Sequence, residues 1–313
     1  MKEKIVLFGA GKNAEKVYSR GLQEIVAVID NDSSKVGKLF HKKYIISLKD
    51  YIERYRDIPI VITSIYAKDI IEQLRKSGIF QYKISNVIFE ADDVTIADEI
   101  SHDNWRNYLK LLCDKPGMRV LEIGSRVVTG ACLRDLFQYA EYTGFDFYQG
   151  ENVDVVGDIH KLHTYFDEPF DLIFCSAVFE HLAMPWKASL EMIKLLKKNG
   201  YIFVETHYSY SSHERPWHFF QFSENALNVL FPECFGIKCV KKGCSNLLEG
   251  RFSSEASEYL QGNMVAGLYC HSEFLGQKIE EVSGEKLSWD NISLEDVVGA
   301  TKYPNIRSER REK

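Results

Sequence analysis

The chain has 313 residues, which is enough for two domains of ordinary size. Hydrophobic residues make up 45% of it and charged residues 27%, values that exclude a disordered, collagen-like or coiled-coil chain. The formal net charge is −6, and the only basic cluster is a mixed-charge tail at 307–313. Binding to nucleic acid therefore has no electrostatic support.

The longest nearly apolar run, 172–179, is far shorter than the roughly 20 residues that cross a membrane. Charges at Glu3 and Lys12 interrupt the apolar start of the chain, which does not match a signal peptide. The seven cysteines contain no Cys-x-x-Cys pair and no metal-ligand spacing, which favours reduced thiols. These features predict a cytoplasmic protein with no membrane insertion.

Short β-rich runs alternate with helical segments through the first 90 residues, a pattern typical of βαβ units and a parallel sheet. The predicted strands are 4–8, 25–29, 44–46, 58–63 and 86–89, and the predicted helices are 13–19, 48–55 and 67–76.

A glycine-rich turn follows the first strand and opens the first helix. Gly9 and Gly11 allow backbone amides to approach a phosphate there, and Asp30, at the end of the second strand, can accept hydrogen bonds from ribose hydroxyls. The alternative is a tight strand-to-helix turn in which Asp30 caps a loop. With Ala14 and the run 29–32, this segment resembles the small Rossmann-like domains at the front of some bacterial sugar-modifying enzymes. The resemblance implies a nucleotide or nucleotide-sugar site.

An acidic stretch, 91–99, separates two complete βαβ patterns and predicts a domain boundary. The predicted divisions are a nucleotide-binding domain at 1–92, a second domain at 93–283 and a polar extension at 284–313. In the second domain, a helix is expected at 102–113 and strands at 118–123 and 142–146.

Several motifs of the second domain occur in a recognisable order. They are Val120-Leu121-Glu122-Ile123-Gly124, Asp146 at the end of the next strand, Gly157-Asp158-Ile159, and the run 170–182 that contains Ser176. Two acids at consecutive strand ends, Glu122 and Asp146, can bind a ribose diol beyond the carboxyl edge of an α/β sheet.

Over roughly 100–275, these motifs resemble the class I S-adenosylmethionine-dependent methyltransferases. The resemblance implies a doubly wound α/β sheet with an antiparallel closing pair, S-adenosyl-L-methionine as cofactor and S-adenosyl-L-homocysteine as product. It implies that Glu122 supports the methionine end of the cofactor, that Gly124 permits a close approach of the backbone and that Asp146 binds both ribose hydroxyls. It places Asp158 and Ile159 at the adenine and Ser176 in the same cofactor site.

The first motif departs from the usual glycine-rich loop at residues 125–129. Arg126 stands where the family has little or no side chain. We expect Arg126 either to point away from the cofactor or to contact an anionic substrate.

The rest of the second domain is predicted to complete the sheet. A helix at 184–198 carries a core-facing stripe of Trp186, Leu190, Ile193 and Leu196, and a strand follows at 201–207. Ser223 is predicted to cap a helix through Leu230. Strands at 236–241 and 264–271 would form the antiparallel closing pair, and 251–261 would be an insert that shapes the acceptor pocket.

Four histidines are candidates for the base that takes a proton from the methyl acceptor, because imidazole titrates near neutral pH. His181 and His207 are favoured because each lies at a strand end that flanks the cofactor motifs. His213, Arg215, Trp217 and His218 lie in the long loop 209–222, where they could recognise phosphate or sugar hydroxyls. The alternative is that Trp217 and Phe219 only plug the end of the sheet. The histidines lack regular spacing, so no metal is predicted.

These patterns predict a methyltransferase acting on a small anionic, sugar-type or nucleotide-linked acceptor. Similarity to enzymes associated with bacterial surface polysaccharides suggests O-methylation in capsule or glycan synthesis. One alternative is a nicotinamide-dependent oxidoreductase or epimerase that uses the first glycine-rich turn, and another is a non-catalytic nucleotide-binding protein. A homodimer is compatible with the sequence.

Overall fold

The structure is a computed structural model that describes residues 2–128, 130 and 132–298. The chain divides into two compact units. The first comprises residues 1–93 together with 247–268, and the second comprises 94–246 and the chain from 269 onwards. The segment 247–268, which the sequence analysis assigns to the second domain, thus belongs to the first unit.

The first unit is built on a six-stranded sheet. Its strands are β1 (Lys4–Phe8), β2 (Glu24–Ile29), β3 (Leu39–Phe40), β4 (Lys43–Ile46), β5 (Ile60–Ile62) and β6 (Tyr82–Ile84), in the order β3-β4-β2-β1-β5-β6. All pairings are parallel except that of β3 with β4. The helices are α1 (Lys12–Arg20), α2 (Leu48–Arg54) and α3 (Ala67–Lys76). The central strand β1 is buried from Ile5 to Phe8, as expected of a parallel sheet covered on both faces.

The strand predicted at 86–89 is wrong. Asn86–Ile88 is a 3₁₀ helix, and the sixth strand lies earlier, where Tyr82 pairs with Ile60. Val87, Ile88 and Phe89 are nevertheless all buried in the core. A short apolar run signals burial without distinguishing a strand from a helical turn, which explains the error.

The segment 247–268 contains β13 (Gly250–Arg251) and β14 (Met264–Val265), which form an antiparallel pair. The backbone amide of Gly267 donates to the carbonyl of Phe89, and Lys68 Nζ donates to the carbonyl of Gln261 at 2.8 Å. Both contacts lie within the first unit. The prediction that 251–261 forms an insert of the second domain is therefore corrected.

The second unit is built on a seven-stranded sheet. Its strands are β7 (Arg119–Ile123), β8 (Glu141–Asp146), β9 (Val155–Val156), β10 (Phe170–Ser176), β11 (Leu196–His207), β12 (Ile237–Leu247) and β15 (Tyr269–Lys278). The order is β12-β15-β11-β10-β7-β8-β9. Strands β7 to β11 pair in parallel, whereas β15 runs antiparallel to β11. The class I methyltransferase arrangement expected from the sequence, a parallel sheet with an antiparallel closing strand, is confirmed.

In the described part of this unit, the α-helices are α4 (Trp105–Cys113), α5 (Pro185–Leu195), α6 (Glu224–Leu230) and α7 (Leu294–Val298). The Ser223 hydroxyl accepts a hydrogen bond from the amide of Ala226, so the predicted N-cap is confirmed. Helix α5 is shorter than predicted because the chain enters β11 at Leu196, and Asn199, at φ +67°, lies within that strand. Trp186 is 45% exposed, so it does not belong to the predicted core stripe.

Two further predictions about the end of the chain need correction. The strand expected at 264–271 consists of two separate strands, β14 and β15, which lie in different sheets. The extension from 284 is not purely polar, because Leu287, Trp289 and Ile292 pack against the second core. The tail predicted at 307–313 lies outside the described residues. Among the helices that the structure describes, none is long and apolar enough to cross a membrane.

Candidate functional site

The glycine-rich turn of the first unit borders a cavity of about 680 Å³. Gly9 has φ +112°, a conformation that favours glycine, and a side chain there would come within 3.1 Å of Ser64 Cβ. Asp30 accepts hydrogen bonds from the amide of Ala10 at 2.8 Å and from the amide of Asp32 at 2.9 Å. The structure thus brings Gly9, Gly11 and Asp30 together at the cavity wall, with Asp30 holding the turn.

In the second unit, the predicted cofactor residues gather at the carboxyl edge of the sheet. Strands β7 and β8 are parallel neighbours, with Glu122 opposite Gly144, so Gly124 and Asp146 follow at the same edge. Gly124 has φ +78°, and a Cβ there would lie 2.4 Å from Val178 Cγ2. Only glycine fits at position 124, because the loop after β7 passes too close to Val178 to leave room for a side chain.

Glu122 is buried between β7 and β8. Its carboxylate accepts a short hydrogen bond from the Tyr142 hydroxyl, and Asn152 Nδ2 donates to the Tyr142 oxygen at 3.0 Å. Burial raises the pKa of Glu122 to about 7, although hydrogen bonds from Tyr142 and Asn152 oppose the shift. Glu122 is therefore linked to β8 through Tyr142, and through Tyr142 to Asn152.

Asp146 lies at the end of β8 and contacts the unusual loop after β7. Its carboxylate accepts hydrogen bonds from the amides of Tyr148 at 2.9 Å and Arg126 at 3.3 Å, and Arg126 Nε lies 3.7 Å from Asp146 Oδ1. The Arg126 side chain also lies where a Cβ on Gly150 would be. Arg126 thus packs on the predicted ribose acid, beside the cofactor residues.

Asp158 and Ile159 follow β9 at this edge. The Asp158 carboxylate caps a 3₁₀ helix by accepting from the amide of His160 at 2.9 Å, and its Oδ1 lies 2.7 Å from His160 Nδ1. Burial alone would raise the pKa of Asp158, but these hydrogen bonds lower it below its usual value. Ile159 is only 6% exposed and belongs to the hydrophobic core.

A histidine cluster lies beyond the ends of β10 and β11. It comprises His181, His207, His213 and His218, and the ring of His213 lies 5.0 Å from that of His181, 5.3 Å from that of His207 and 4.6 Å from that of His218. The structure thus brings together all four candidate histidines, although loop residues separate them in sequence.

Glu180, which the sequence analysis did not single out, lies beneath this cluster. It is completely buried, and its Oε2 accepts a hydrogen bond from Thr206 Oγ1 at 2.6 Å. Its Oε1 lies 2.9 Å from His207 Nδ1. Burial alone would raise the pKa of Glu180, but His207 and Thr206 outweigh that effect and lower it. A buried carboxylate therefore lies against His207 within ion-pair distance.

The loop between β11 and α6 carries the predicted substrate residues. Arg215 is exposed, and its Nε donates to Ser212 Oγ at 2.7 Å. Trp217 is 64% exposed and Phe219 is 40% exposed. These exposures contradict the alternative in which the two aromatic rings plug the end of the sheet.

Each of the two units contains a segment that matches a known protein family. Residues 97–233 match the family model described as a methyltransferase domain, and residues 1–85 match the model described as C2185-like, N-terminal. The segment 97–233 is a methyltransferase domain. The chain is accordingly an enzyme, an S-adenosylmethionine-dependent methyltransferase.

Solved structures similar to this chain include the YcgJ protein from Bacillus subtilis, with 18% identity and a TM-score of 0.40 over 57% of this chain and 100% of that one. A SAM-dependent methyltransferase from Archaeoglobus fulgidus has 17% identity and a TM-score of 0.38 over 57% of this chain and 97% of that one. TM-scores this low do not bear on the function of this chain. No curated protein matches it.

The methyltransferase domain offers unused polar atoms where the cofactor is expected. Ser125 Oγ and Arg126 Nε are both buried and, within the described part of the chain, have no hydrogen-bond partner. Buried polar groups ordinarily have partners, so two such atoms in one loop indicate a place for a ligand. Both atoms belong to the loop whose backbone contacts Asp146, so the residues present fit a polar cofactor at this edge.

Behind this edge, the methyltransferase domain contains a buried network around Glu205. Ser176 Oγ donates to Glu205 Oε2 at 2.5 Å, and His102 Nδ1 lies 2.6 Å from Glu205 Oε1. Glu205 also lies opposite Glu273 of β15. Ser176, predicted to contact the cofactor, is thus bonded to a carboxylate of the neighbouring strand. Sequence reasoning missed His102 and Glu273, because no motif marks them.

Glu273→Gln should stabilise the protein increasingly as pH rises. Burial, with the nearby negative charge of Glu205, raises the pKa of Glu273 to about 8, although its bond from Ser245 and the proximity of His102 oppose this. A raised pKa means that the folded protein binds a proton that the unfolded chain releases above pH 4.5, so stability falls between pH 4.5 and 8. Glutamine has no proton to release in this range, so it removes that loss.

Thermal unfolding at pH 5 and pH 9 tests this expectation. The difference in melting temperature between Glu273→Gln and wild type should be small at pH 5 and several degrees in favour of the variant at pH 9. Glu280→Gln, at an exposed position just beyond β15, serves as the control and should show no such trend. An equal difference at both pH values would contradict the assignment.

Proposed function

We propose that the protein transfers a methyl group to a hydroxyl of a small anionic acceptor of the sugar type or linked to a nucleotide. The observation that carries this proposal is the pair of His207 and buried Glu180 beneath a loop of exposed aromatic and basic side chains. A carboxylate at Nδ1 leaves Nε2 of His207 to take a proton, as a base for a hydroxyl requires.

The cofactor, when bound, supplies an electrophilic methyl group on a sulfonium. In this proposal the chain itself does three things. Asp146 and the amide backbone at Gly124 hold the cofactor, the exposed ring of Trp217 stacks on a sugar face, and Arg215 binds the anionic group of the acceptor. His207 would receive the hydroxyl proton as the acceptor oxygen bonds to the methyl carbon and the methyl–sulfur bond breaks, which leaves S-adenosyl-L-homocysteine. Much of the rate would come from holding that oxygen in line with the methyl group.

The first unit supports an acceptor linked to a nucleotide. Its cavity of about 680 Å³ is lined by Gly9 and Gly11 at the start of α1, by the cationic side chains of Lys12 and Lys35, and by the carboxylates of Asp30, Asp32 and Asp69, of which Asp30 pairs with Lys35. Such a lining suits a diphosphate, since backbone amides and a helix N-terminus favour anions. We infer that this unit binds a nucleotide or a nucleotide-linked sugar, and that the enzyme serves capsule or surface glycan synthesis.

The test is methyl transfer by the full chain from radiolabelled S-adenosylmethionine to a panel of acceptors. The panel contains nucleoside diphosphate sugars, the corresponding sugar phosphates and the free sugars. We expect label in a nucleotide sugar or a sugar phosphate, in preference to the free sugar, and mass spectrometry of the product should place the methyl group on oxygen. Transfer to none of these, with transfer to a peptide or nucleic acid instead, would overturn the proposal.

A further inference from the structure

Glu180, His181 and His213 present three potential metal ligands to one point at the end of β10. One carboxylate oxygen and one nitrogen from each imidazole lie within 4.8 Å of one another. Divalent transition metals bind imidazole nitrogen and carboxylate oxygen at about 2.0–2.2 Å, which places ligand atoms about 3–4 Å apart. Small rotations of the two imidazoles would therefore bring this set to binding distance.

Hydrogen bonds to backbone carbonyls orient the two histidines as in many metal sites. His181 Nδ1 lies 3.0 Å from the carbonyl oxygen of Trp217, and His213 Nδ1 lies 3.0 Å from that of Ser211. A carbonyl oxygen only accepts, so both Nδ1 atoms carry a proton, and Nε2 is the nitrogen of each ring that a metal ion would bind. Metal-bound histidines characteristically donate their other ring nitrogen to a carbonyl or carboxylate in this way.

The third ligand supplies an independent observation. Glu180 is completely buried, and its Oε1 has no hydrogen-bond partner of acceptable geometry in the described residues, although His207 Nδ1 lies near it. A buried carboxylate oxygen without such a bond is costly. A cation held between Oε1 and the two imidazoles would compensate it.

We propose that Glu180, His181 and His213 form a binding site for a divalent first-row transition-metal ion of the zinc class. Two imidazoles and one carboxylate are a common protein ligand set for such ions, and three protein ligands leave a coordination position open. No metal is predicted from the sequence, because the ligands lack regular spacing. Only the fold brings them together, since the loop after β11 returns His213 to the end of β10.

A second group, comprising His102, Glu205 and His271, fits the proposal less well. Both carboxylate oxygens of Glu205 already have partners, His102 Nδ1 and Ser176 Oγ. Asn246 Nδ2 lies 3.0 Å from His271 Nδ1. A metal ion there would have to displace bonds that already satisfy the carboxylate.

The experiment uses the full chain, freed of metal with a chelator and titrated with Zn²⁺ by calorimetry. Co²⁺ serves as a second probe, since its visible absorption reports the coordination geometry. We expect one ion per chain with micromolar or tighter affinity, and a loss of roughly 100-fold in affinity for His181→Ala and for His213→Ala. His213 lies in a loop, so its replacement tests the site even if Glu180→Gln fails to fold.

His163→Ala is the matched control, because His163 pairs with a carboxylate, Glu191, away from the cluster, and it should bind the ion like wild type. The proposal would be overturned by wild type that takes up no stoichiometric ion, or by equal losses in the control. Binding that survives in His181→Ala and His213→Ala but is lost in His271→Ala would move the ion to the other group and overturn it as well.

Discussion

Asp146→Ala should weaken the binding of S-adenosyl-L-homocysteine by roughly 100-fold or more. Asp146 ends β8 beside the glycine turn at Gly124, and its carboxylate is expected to accept two hydrogen bonds from the ribose hydroxyls. Hydrogen bonds to a charged group contribute about 1.5–3 kcal/mol each, so removing both costs about two decades in affinity. Calorimetric titration of the full chain measures the change without any knowledge of the acceptor.

Two controls accompany this measurement. Asp167→Ala removes an exposed carboxylate of the same domain and should leave the affinity unchanged. Asp146→Asn keeps an acceptor oxygen but loses the charge, so it should fall between wild type and Asp146→Ala. Melting temperatures close to that of wild type would show that the variants fold. Binding to Asp146→Ala as tight as to wild type would remove Asp146 from the cofactor site.

The cofactor edge could be predicted from sequence because its residues follow strands. Parallel strands end at the same edge of a sheet, so Glu122 and Asp146 had to lie near each other once β7 and β8 were recognised. The sequence could not show which side chains contact each of these two carboxylates. Glu122 turns to Tyr142 and Asn152, and Arg126 packs on Asp146. Those contacts depend on loop conformation, which no local pattern determines.

The histidine cluster was predictable only in part. His181 and His207 follow strands and were found for that reason, whereas Glu180 was missed because a glutamate beside an apolar run gives no sign of complete burial. His102 and Glu273 come from a segment before α4 and from β15, far apart in sequence, and only the order of strands brings them to Glu205. The boundaries of β14 and β15 were missed because an apolar run does not reveal a change of sheet.

His207→Asn should lower the turnover number by about 100-fold to 10,000-fold, the range that a positioned base contributes, while the affinity for S-adenosyl-L-homocysteine stays near that of wild type. The reason is geometric: Tyr210 stacks on the ring of His207 at 4.5 Å, and the buried carboxylate of Glu180 lies 2.9 Å from Nδ1, where it would stabilise the imidazolium formed when the ring takes the proton. Asparagine retains a polar group but cannot accept the proton. The measurement is steady-state transfer to the acceptor that the panel identifies.

A loss of turnover without a loss of cofactor affinity would distinguish a base from a residue that only supports the fold. A structural role would lower the melting temperature and weaken cofactor binding together with turnover. His163→Ala, away from the cluster, should retain the turnover of wild type. If His207→Asn kept more than about a tenth of wild-type turnover, His207 would not be the base, because even the weakest positioned base contributes more than that. The acceptor hydroxyl would then lose its proton by another route, and Glu180 would serve His207 only as a buried ion-pair partner.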